Sequence, residues 1–588
     1  MNQSNQTAEP LSDEFQTLSE STVTNKLEES TLTIEKYDQG NFEKKIEHLN
    51  LNNPSRVNST EKDTSPENHA SPEIDGGNAE PKVEIPQARK LSDLARRVSI
   101  SHLYNHPNIL QLEVDKMIAK PNVAQIDHIL KYIPNASFVP NVSPMMSSAM
   151  YTSVYGGKGF IPQDAFVYPL STVNYNITHG PEKESSDLEF IKGGPRSQIY
   201  FSPKKVVAAI VTCGGLCPGL NVVIREITYT LWQNYGVSKI YGIQYGYRGF
   251  YTYNWIELTP QTTKHIHKLG GTILGSSRGG FDIKKIMARI KSKGVNQIYI
   301  IGGDGTLRGA SAIHDYVKQK KLEISVISLP KTIDNDIPII DRSFGYQTSV
   351  EEALKAINSA ETEAMSAEYG IGLVKLMGRA AGHIALEACL SQRSVNVLLI
   401  PEIKFELYGP KGFLEYVYRR LLNKHHCVIV VAEGASEAVL DADFPDLGVD
   451  PSGNKILPDI GTFIKSKIVK YCADKGLEST LKYIDPTYMI RTTASNAFDT
   501  QICAQLAYNS VHGAMSGFSG FCTGLVHNRC CYIPIDMLKQ GNRRIKPKSR
   551  KWQRLLAATG QPSFLNDEDR LAKTALDARD QLPRANDA

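Results

Sequence analysis

Two aspartates two positions apart, Asp334 and Asp336, close the run Leu329-Pro330-Lys331-Thr332-Ile333-Asp334-Asn335-Asp336, directly after apolar text and beside a lysine and a threonine. A carboxylate placed there can take the proton of a hydroxyl while cations stabilise charge on a group in transfer, the demand of phosphoryl transfer to an alcohol. A cluster of Asx turns is the alternative for the same text. A second run, Ile301-Gly302-Gly303-Asp304-Gly305-Thr306, sets a carboxylate and a hydroxyl among three glycines. Glycines let backbone N–H groups approach triphosphate oxygens, and Asp304 suits magnesium, bound directly or through water. The alternative is an ordinary Asp-Gly turn. A third run, Gly214-Gly215-Leu216-Cys217-Pro218-Gly219, joins a strand to a helix and suits an anion at a helix N-terminus, or is simply a tight turn.

The elements that must hold these runs are legible as an α/β alternation. KVVAAIVT is an apolar strand, followed by the helix LNVVIREITYTLWQNYG closed by Gly236. KIYGIQYG, NQIYIIGGDG and ISVISLPKTIDND are further short apolar runs ending in polar text, with helical text between them, so a largely parallel sheet is predicted. Ligands of such sheets bind beyond the carboxyl ends of the strands, where the three runs fall. A second α/β region follows. It opens on a capping-box pattern at Ser349 and Glu352, with Val350, Ala353, Leu354 and Ile357 on one helical face, and continues through the strands IGLVKLMG, VNVLLIPE and CVIVVAEG.

Composition narrows the field. The chain has 588 residues, enough for more than one core, and its 66 basic and 62 acidic residues nearly cancel. No global field points to nucleic acid or an anionic membrane, so neither partner is expected. No apolar run reaches the ~18 residues of a membrane span, and the polar start lacks a signal peptide's apolar segment, so a cytoplasmic protein is expected. The nine cysteines read as small core residues; Cys213 with Cys217, and Cys530 with Cys531, lack a matching second pair for zinc.

In order along residues 190 to 540, VTCGGLCPGLN, GGTILGSSRGG, IGGDGT, PKTIDNDI, LVKLMGRAAGHIA and AEGA resemble the phosphofructokinases. TCGGLCPGLN, PKTIDND, KLMGR and DPTYMIR look like their ATP-dependent plant and trypanosomatid branch, itself related to pyrophosphate-dependent enzymes. The resemblance implies two Rossmann-like three-layer domains with largely parallel sheets and an active site in the cleft between them. It implies phosphoryl transfer from magnesium ATP to the 1-hydroxyl of fructose 6-phosphate, giving fructose 1,6-bisphosphate and ADP, a committed step of glycolysis, in a homotetramer. By the same resemblance Gly214, Arg278, Gly279, Gly303, Asp304, Gly305 and Thr306 match the ATP positions, with Asp304 the magnesium carboxylate. Thr332, Ile333 and Asp334 lie beside the acceptor hydroxyl with Asp334 as general base, and Met377, Gly378, Arg379, Glu433, Tyr488 and Arg491 match the sugar-phosphate positions. His383, His425 and His426 read as packing or surface residues.

The expected organisation is a disordered tail over 1–95, an accessory region over 96–195, an ATP and magnesium domain over 196–345 completed by part of 495–555, a sugar-phosphate domain over 346–494, and a polar tail over 556–588. Gly370 stands where bacterial enzymes carry an arginine used by the neighbouring subunit, and the His-Ile-Gln-Arg that follows their later sugar arginine is missing after Arg491, so the bacterial allosteric scheme does not transfer. Pyrophosphate is the rival donor, because Lys331 resembles a lysine of pyrophosphate enzymes; Gly305 opposes it, since those enzymes usually place a second aspartate there. A lipid or NAD kinase would share GGDG but not PKTIDND and MGR, and a non-catalytic regulatory subunit would not need Asp304, Asp334 and Arg379. Arg96-Arg97-Val98-Ser99 is a pattern that basophilic kinases accept, or a solvated basic stretch.

Overall fold

The runs Val207–Thr212, Gln297–Gly302 and Ser325–Pro330 are rich in isoleucine and valine and almost wholly buried, as strands must be when helices cover both faces of a sheet. They are the centre of the fold in the computed structural model, which describes residues 124, 126–133, 138–140, 172–177, 186–449, 455–539 and 541–566. The tail over 1–95, Ser99 with its two arginines, and residues 567–588 lie outside the described residues.

Strands are numbered β1 Thr172–Ile177, β2 Ser186–Lys192, β3 Val207–Thr212, β4 Lys239–Ile243, β5 Ile256–Glu257, β6 Gln297–Gly302, β7 Ser325–Pro330, β8 Gly370–Leu376, β9 Val397–Leu399, β10 His426–Ala432, β11 Thr480–Ile484, β12 Phe521–Val526 and β13 Arg529–Pro534. A nine-stranded sheet has the order β1-β2-β13-β12-β7-β6-β3-β4-β5. Its middle, from β12 to β4, is parallel and its edges are antiparallel. A four-stranded sheet, β9-β10-β8-β11, is parallel throughout.

The helices that matter to the site are α1 Leu220–Tyr229, α2 Asp304–Gln319, α3 Tyr346–Met365, α4 His383–Ser391, α5 Ile460–Asp474, α6 Thr487–Thr492, α7 Ala497–Met515 and α8 Arg550–Thr559. One apolar cluster joins the two sheets: Ile327 and Tyr299 of the first, Val374 and Val430 of the second, and Val350, Ala353 and Ile357 of α3 all belong to it. The α3 face is the one read from the sequence, with Leu354 only partly buried.

Three expectations change. The capping box at Ser349 and Glu352 does not form, because α3 starts earlier, with Gly345 as N-cap. The Ser349 hydroxyl instead donates to the Tyr346 carbonyl at 2.6 Å, and Glu352 pairs with Lys355. The cap comes from far along the chain: the fully buried Asp499 carboxylate accepts from the Thr348 backbone N–H at 2.7 Å and its hydroxyl at 2.6 Å. Part of the accessory region belongs to the main sheet, since β2 pairs with β13 and β1. The C-terminal text is packed through residue 566: α8 buries Trp552 and Leu555 and contacts α4, and Phe564 and Leu565 are buried beyond it. A few apolar residues in polar text suffice to dock such a segment, which a window average dilutes.

Gly370 is held by packing. A Cβ there would stand 2.0 Å from the Ala364 carbonyl oxygen, so the start of β8 can approach the end of α3 only as glycine.

Asp499→Ala strips the buried Thr348 N–H and hydroxyl of their acceptor, and should cost about 1.5–3 kcal/mol. Urea unfolding of the two proteins measures it; equal midpoints would show that the long-range cap contributes nothing.

Candidate active site

Strand register brings the three glycine- and aspartate-bearing runs together. Pro330 is paired with Gly302, and Thr212 with Ile301, so β3, β6 and β7 end side by side. The ladder continues one step into each loop, with the Lys331 N–H donating to Gly302 O and the Cys213 N–H to Ile301 O, both at 2.9 Å. In the second sheet Leu376 pairs with Ala432, which sets Met377 beside Glu433.

These loops line a cavity of about 620 Å³. From the first half come Gly214, Arg278, Gly279, Gly303, Asp304, Gly305, Thr306, Lys331, Thr332, Ile333 and Asp334; from the second come Met377 and Arg379, with Arg491 of α6. Gly378 and Glu433 sit just behind this wall, where the Gly434 N–H donates to Gly378 O at 2.9 Å. Tyr488 is outside it and 71% exposed, with the Arg491 guanidinium stacked over its ring at 4.5 Å. The structure therefore places fourteen of the expected site residues on one cavity and Gly378, Glu433 and Tyr488 off its wall.

Each loop is locked locally. The Gly214 N–H donates to Ser277 O at 3.0 Å, and Ser276 Oγ to Gly214 O at 2.6 Å, so the GSSRGG segment lies over the first loop. Asp304 and Gly305 open helix α2, whose first turn is held by Tyr247 Oη donating to Thr306 O at 2.7 Å. Gly302 makes that turn possible: a Cβ would stand 2.4 Å from Thr306 Oγ1. Lys331 is buried and donates to Gly215 O at 2.7 Å, tying the first loop to the third. Thr332 Oγ1 donates to Asp336 Oδ1 at 2.9 Å and accepts the Asp334 N–H at 3.2 Å. Arg379 donates to the Lys455 carbonyl.

The electrostatics follow from packing acids at the strand ends. Burial, then the charges of Asp336 and Glu433, push the Asp334 carboxyl well above the usual range, against Arg379 and Lys331. Its Oδ1 is buried and has no hydrogen-bond partner among the described residues. Burial also raises Asp336, opposed by Thr332 and reinforced by Asp304. Asp304 is open to the cavity yet desolvated enough to be raised, with Arg308 opposing. Desolvation lowers Lys331. A site with Arg278, Arg308, Lys331, Arg379, Arg491 and Arg544 around Asp304, Asp334 and Asp336 can hold polyanions and still present a base.

Sequence reading did not single out Arg308, Glu437, Lys455, Asn542 and Arg544, which also line the cavity. Arg308 was findable, four residues after Asp304 on one helix face. Asn542 and Arg544 carry no such signal, because they arrive from some two hundred residues beyond Asp334. His383 sits at the start of α4 with its ring Nε2 2.9 Å from Arg543 O, a packing role. All nine cysteines are buried, as read. Among the described residues no helix is long and apolar enough to cross a membrane.

A raised carboxyl holds its proton to higher pH, so the active, ionised form appears only as pH rises through the raised value. The acid limb of kcat/KM should lie above the ordinary aspartate range near about 4. Asp336→Asn removes the neighbouring negative charge and should move that limb to lower pH; a limb that stays put or rises would exclude Asp334 as its source.

Comparison with known proteins bears on this geometry. The phosphofructokinase family model matches residues 207–514, from β3 to the end of α7. The chain is 46% identical over 444 residues to ATP-dependent 6-phosphofructokinase 7 of Arabidopsis thaliana, covering 76% of this chain and 89% of the relative. It is 47% identical over 453 residues to ATP-dependent 6-phosphofructokinase 1 of the same plant, covering 77% and 93%. The ATP-dependent 6-phosphofructokinase of Borreliella burgdorferi is 44% identical over 408 residues, 68% of this chain and 91% of that one. A solved pyrophosphate-dependent phosphofructokinase from Marinobacter aquaeolei aligns at 16% identity and TM-score 0.49 over 62% and 92% of the chains, too loose a likeness to bear on the donor. The matched length holds β3 to β7 of the first sheet, all of the second and the cavity wall apart from Asn542 and Arg544, and the chain belongs to the phosphofructokinase family.

Proposed function

We propose that the chain transfers the γ-phosphoryl group of ATP to the 1-hydroxyl of fructose 6-phosphate, giving fructose 1,6-bisphosphate and ADP. The observation that carries this reading is the buried, unpartnered Oδ1 of Asp334 at the meeting of the glycine loops and the arginines. The relatives named above carry ATP-dependent 6-phosphofructokinase as their activity, which supports the donor and acceptor.

In this reading the nine-stranded half, over 196–345 with part of 495–555 and with β1 and β2 added at its edge, holds ATP along Gly214, Arg278, Gly279 and Gly303 to Thr306. The four-stranded half, over 346–494, holds the sugar phosphate through Met377, Gly378, Arg379 and Arg491, with Glu433 and Tyr488 at its margin. Thr332 and Ile333 border the acceptor. Asp334 takes the proton of the 1-hydroxyl as that oxygen bonds to the γ-phosphorus; the bond from that phosphorus to the β–γ bridging oxygen breaks, and its electron pair leaves with ADP. Arginine side chains balance the charge on the equatorial oxygens.

Magnesium fits this donor set. Among the described residues no group of three or more His, Cys, Asp or Glu could cage a metal. Asp304, open to the cavity and raised by desolvation, would instead hold a hard ion with substrate phosphates and water as its other ligands. When bound, that ion supplies positive charge to the phosphate oxygens. A homotetramer and a cytoplasmic location belong to the same proposal and rest on family membership alone.

The test is a purified-chain assay with fructose 6-phosphate and either ATP or pyrophosphate. Turnover with ATP and little with pyrophosphate is expected; the reverse would sink the donor assignment. Asp334→Asn should lower turnover by roughly 10²–10⁴-fold while ATP affinity stays within a few-fold, since only the base is lost. A variant turning over within a few-fold of the parent would remove Asp334 from its role.

Gly305 lies in the first turn of α2 without a positive φ, so its backbone accepts another residue. Gly305→Asp adds a second carboxylate where phosphates bind, and kcat/KM for ATP should fall by about tenfold or more. Some pyrophosphate use should emerge, because Lys331 is already in place. Unchanged ATP kinetics would show that this position does not select the donor.

A further inference from the structure

A segment that no motif marks lies against the acceptor loop. The Arg543 guanidinium donates to the carbonyls of Asn335 at 2.8 Å, Ile340 at 2.9 Å and Asp341 at 3.4 Å, and its backbone N–H donates to Asp336 O at 2.6 Å. Its partners thus include both residues that follow Asp334. The loop they belong to has few ties of its own: Asn335 takes a positive φ and its side chain accepts from the Ser343 N–H at 2.9 Å. Carbonyl oxygens turned inward without a donor would each be costly.

The other side of the same segment is fixed to the second half. His383 Nε2, at the start of α4, is 2.9 Å from Arg543 O; because that partner is a carbonyl, this nitrogen carries the hydrogen. The Ile545 N–H donates to Glu402 Oε1 at 2.9 Å, and Glu402 also accepts the Gly382 N–H at 3.1 Å. Gly382 and His383 follow the Met377 to Arg379 run within a few residues. Asn542 and Arg544, on either side of Arg543, line the cavity themselves.

We propose that Arg543 is a positioning residue of the phosphoryl-transfer site: its guanidinium fork fixes the Asp334–Asp336 loop, and residues 543–545 brace that loop against the half that carries Arg379. The inference rests on the reading of Asp334 as the base. Arg543 acts through the loop and touches no substrate group. A planar fork is needed, since one lysine ammonium cannot reach carbonyls on both sides of the loop with the same geometry.

The experiment measures kcat, both KM values and calorimetric ATP affinity for wild type, Arg543→Ala and Arg543→Lys, each with and without added guanidinium ion. A misplaced base costs turnover, not ATP binding, so Arg543→Ala should lose about 10²-fold in kcat and Arg543→Lys about tenfold, with ATP affinity within about threefold. Guanidinium should restore part of the Arg543→Ala turnover. If Arg543→Ala does not fold, Arg543→Lys decides. Turnover within threefold of wild type in the folded variants would overturn the proposal while leaving the functional reading intact. ATP affinity falling by the same factor as kcat would overturn it too, because the arginine would then be a general structural brace. No wild-type turnover with fructose 6-phosphate and ATP would instead overturn the functional reading, and this role with it.

Discussion

Three carboxylates crowded at the ends of parallel strands set the terms for the rest of this fold. Desolvation raises all three, Asp336 adds to the rise at Asp334 and Asp304 to the rise at Asp336, and nearby cations oppose each rise. Lys331 and Arg379 oppose the rise at Asp334, Arg308 at Asp304, and Arg543 with the Thr332 hydroxyl at Asp336. Lys331, Arg379 and Arg308 also line the cavity and can pair with a polyanion.

The scaffold meets this demand by register and by distant contacts. Ending β3, β6 and β7 side by side brings loops from residues 214, 303 and 331 into one wall. The opposing wall comes from β8 and its neighbours, and one shared apolar cluster under α3 sets the relation of the two. Long-range polar ties then fix the loops: Asp499 at the head of α3, Lys331 on Gly215, and Arg543 on the Asp334–Asp336 loop. Each spans more than a hundred residues of sequence, so the geometry at Asp334 depends on the chain as a whole.

That dependence explains what the sequence showed and what it hid. Apolar runs such as Val207–Thr212 and His426–Ala432 read as strands because burial on both faces demands continuous hydrophobicity, and they are strands. The glycine and aspartate runs read as loops at their carboxyl ends for the same local reason, and fourteen of the expected residues share the cavity. Ser349 and Glu352 misled because Asp499, remote in sequence, begins α3 before a local capping box can. The polar tail expected from residue 556 is packed through residue 566, and the segment leading into it escaped notice because its anchors are few and spaced apart: Arg543, Ile545, Trp552 and Phe564. Tyr488 matched a motif and yet is exposed and off the cavity wall, with the Arg491 guanidinium stacked over its ring.

The central claim is that Asp334 faces the hydroxyl that is phosphorylated. A crystal structure of the Asp334→Asn variant with fructose 6-phosphate, magnesium and ATP would show this directly. The account predicts the 1-hydroxyl within about 3 Å of residue 334 and roughly in line with the γ-phosphorus, with the sugar phosphate on Arg379 and Arg491. A sugar bound with its 1-hydroxyl away from residue 334, or with its phosphate elsewhere, would contradict it.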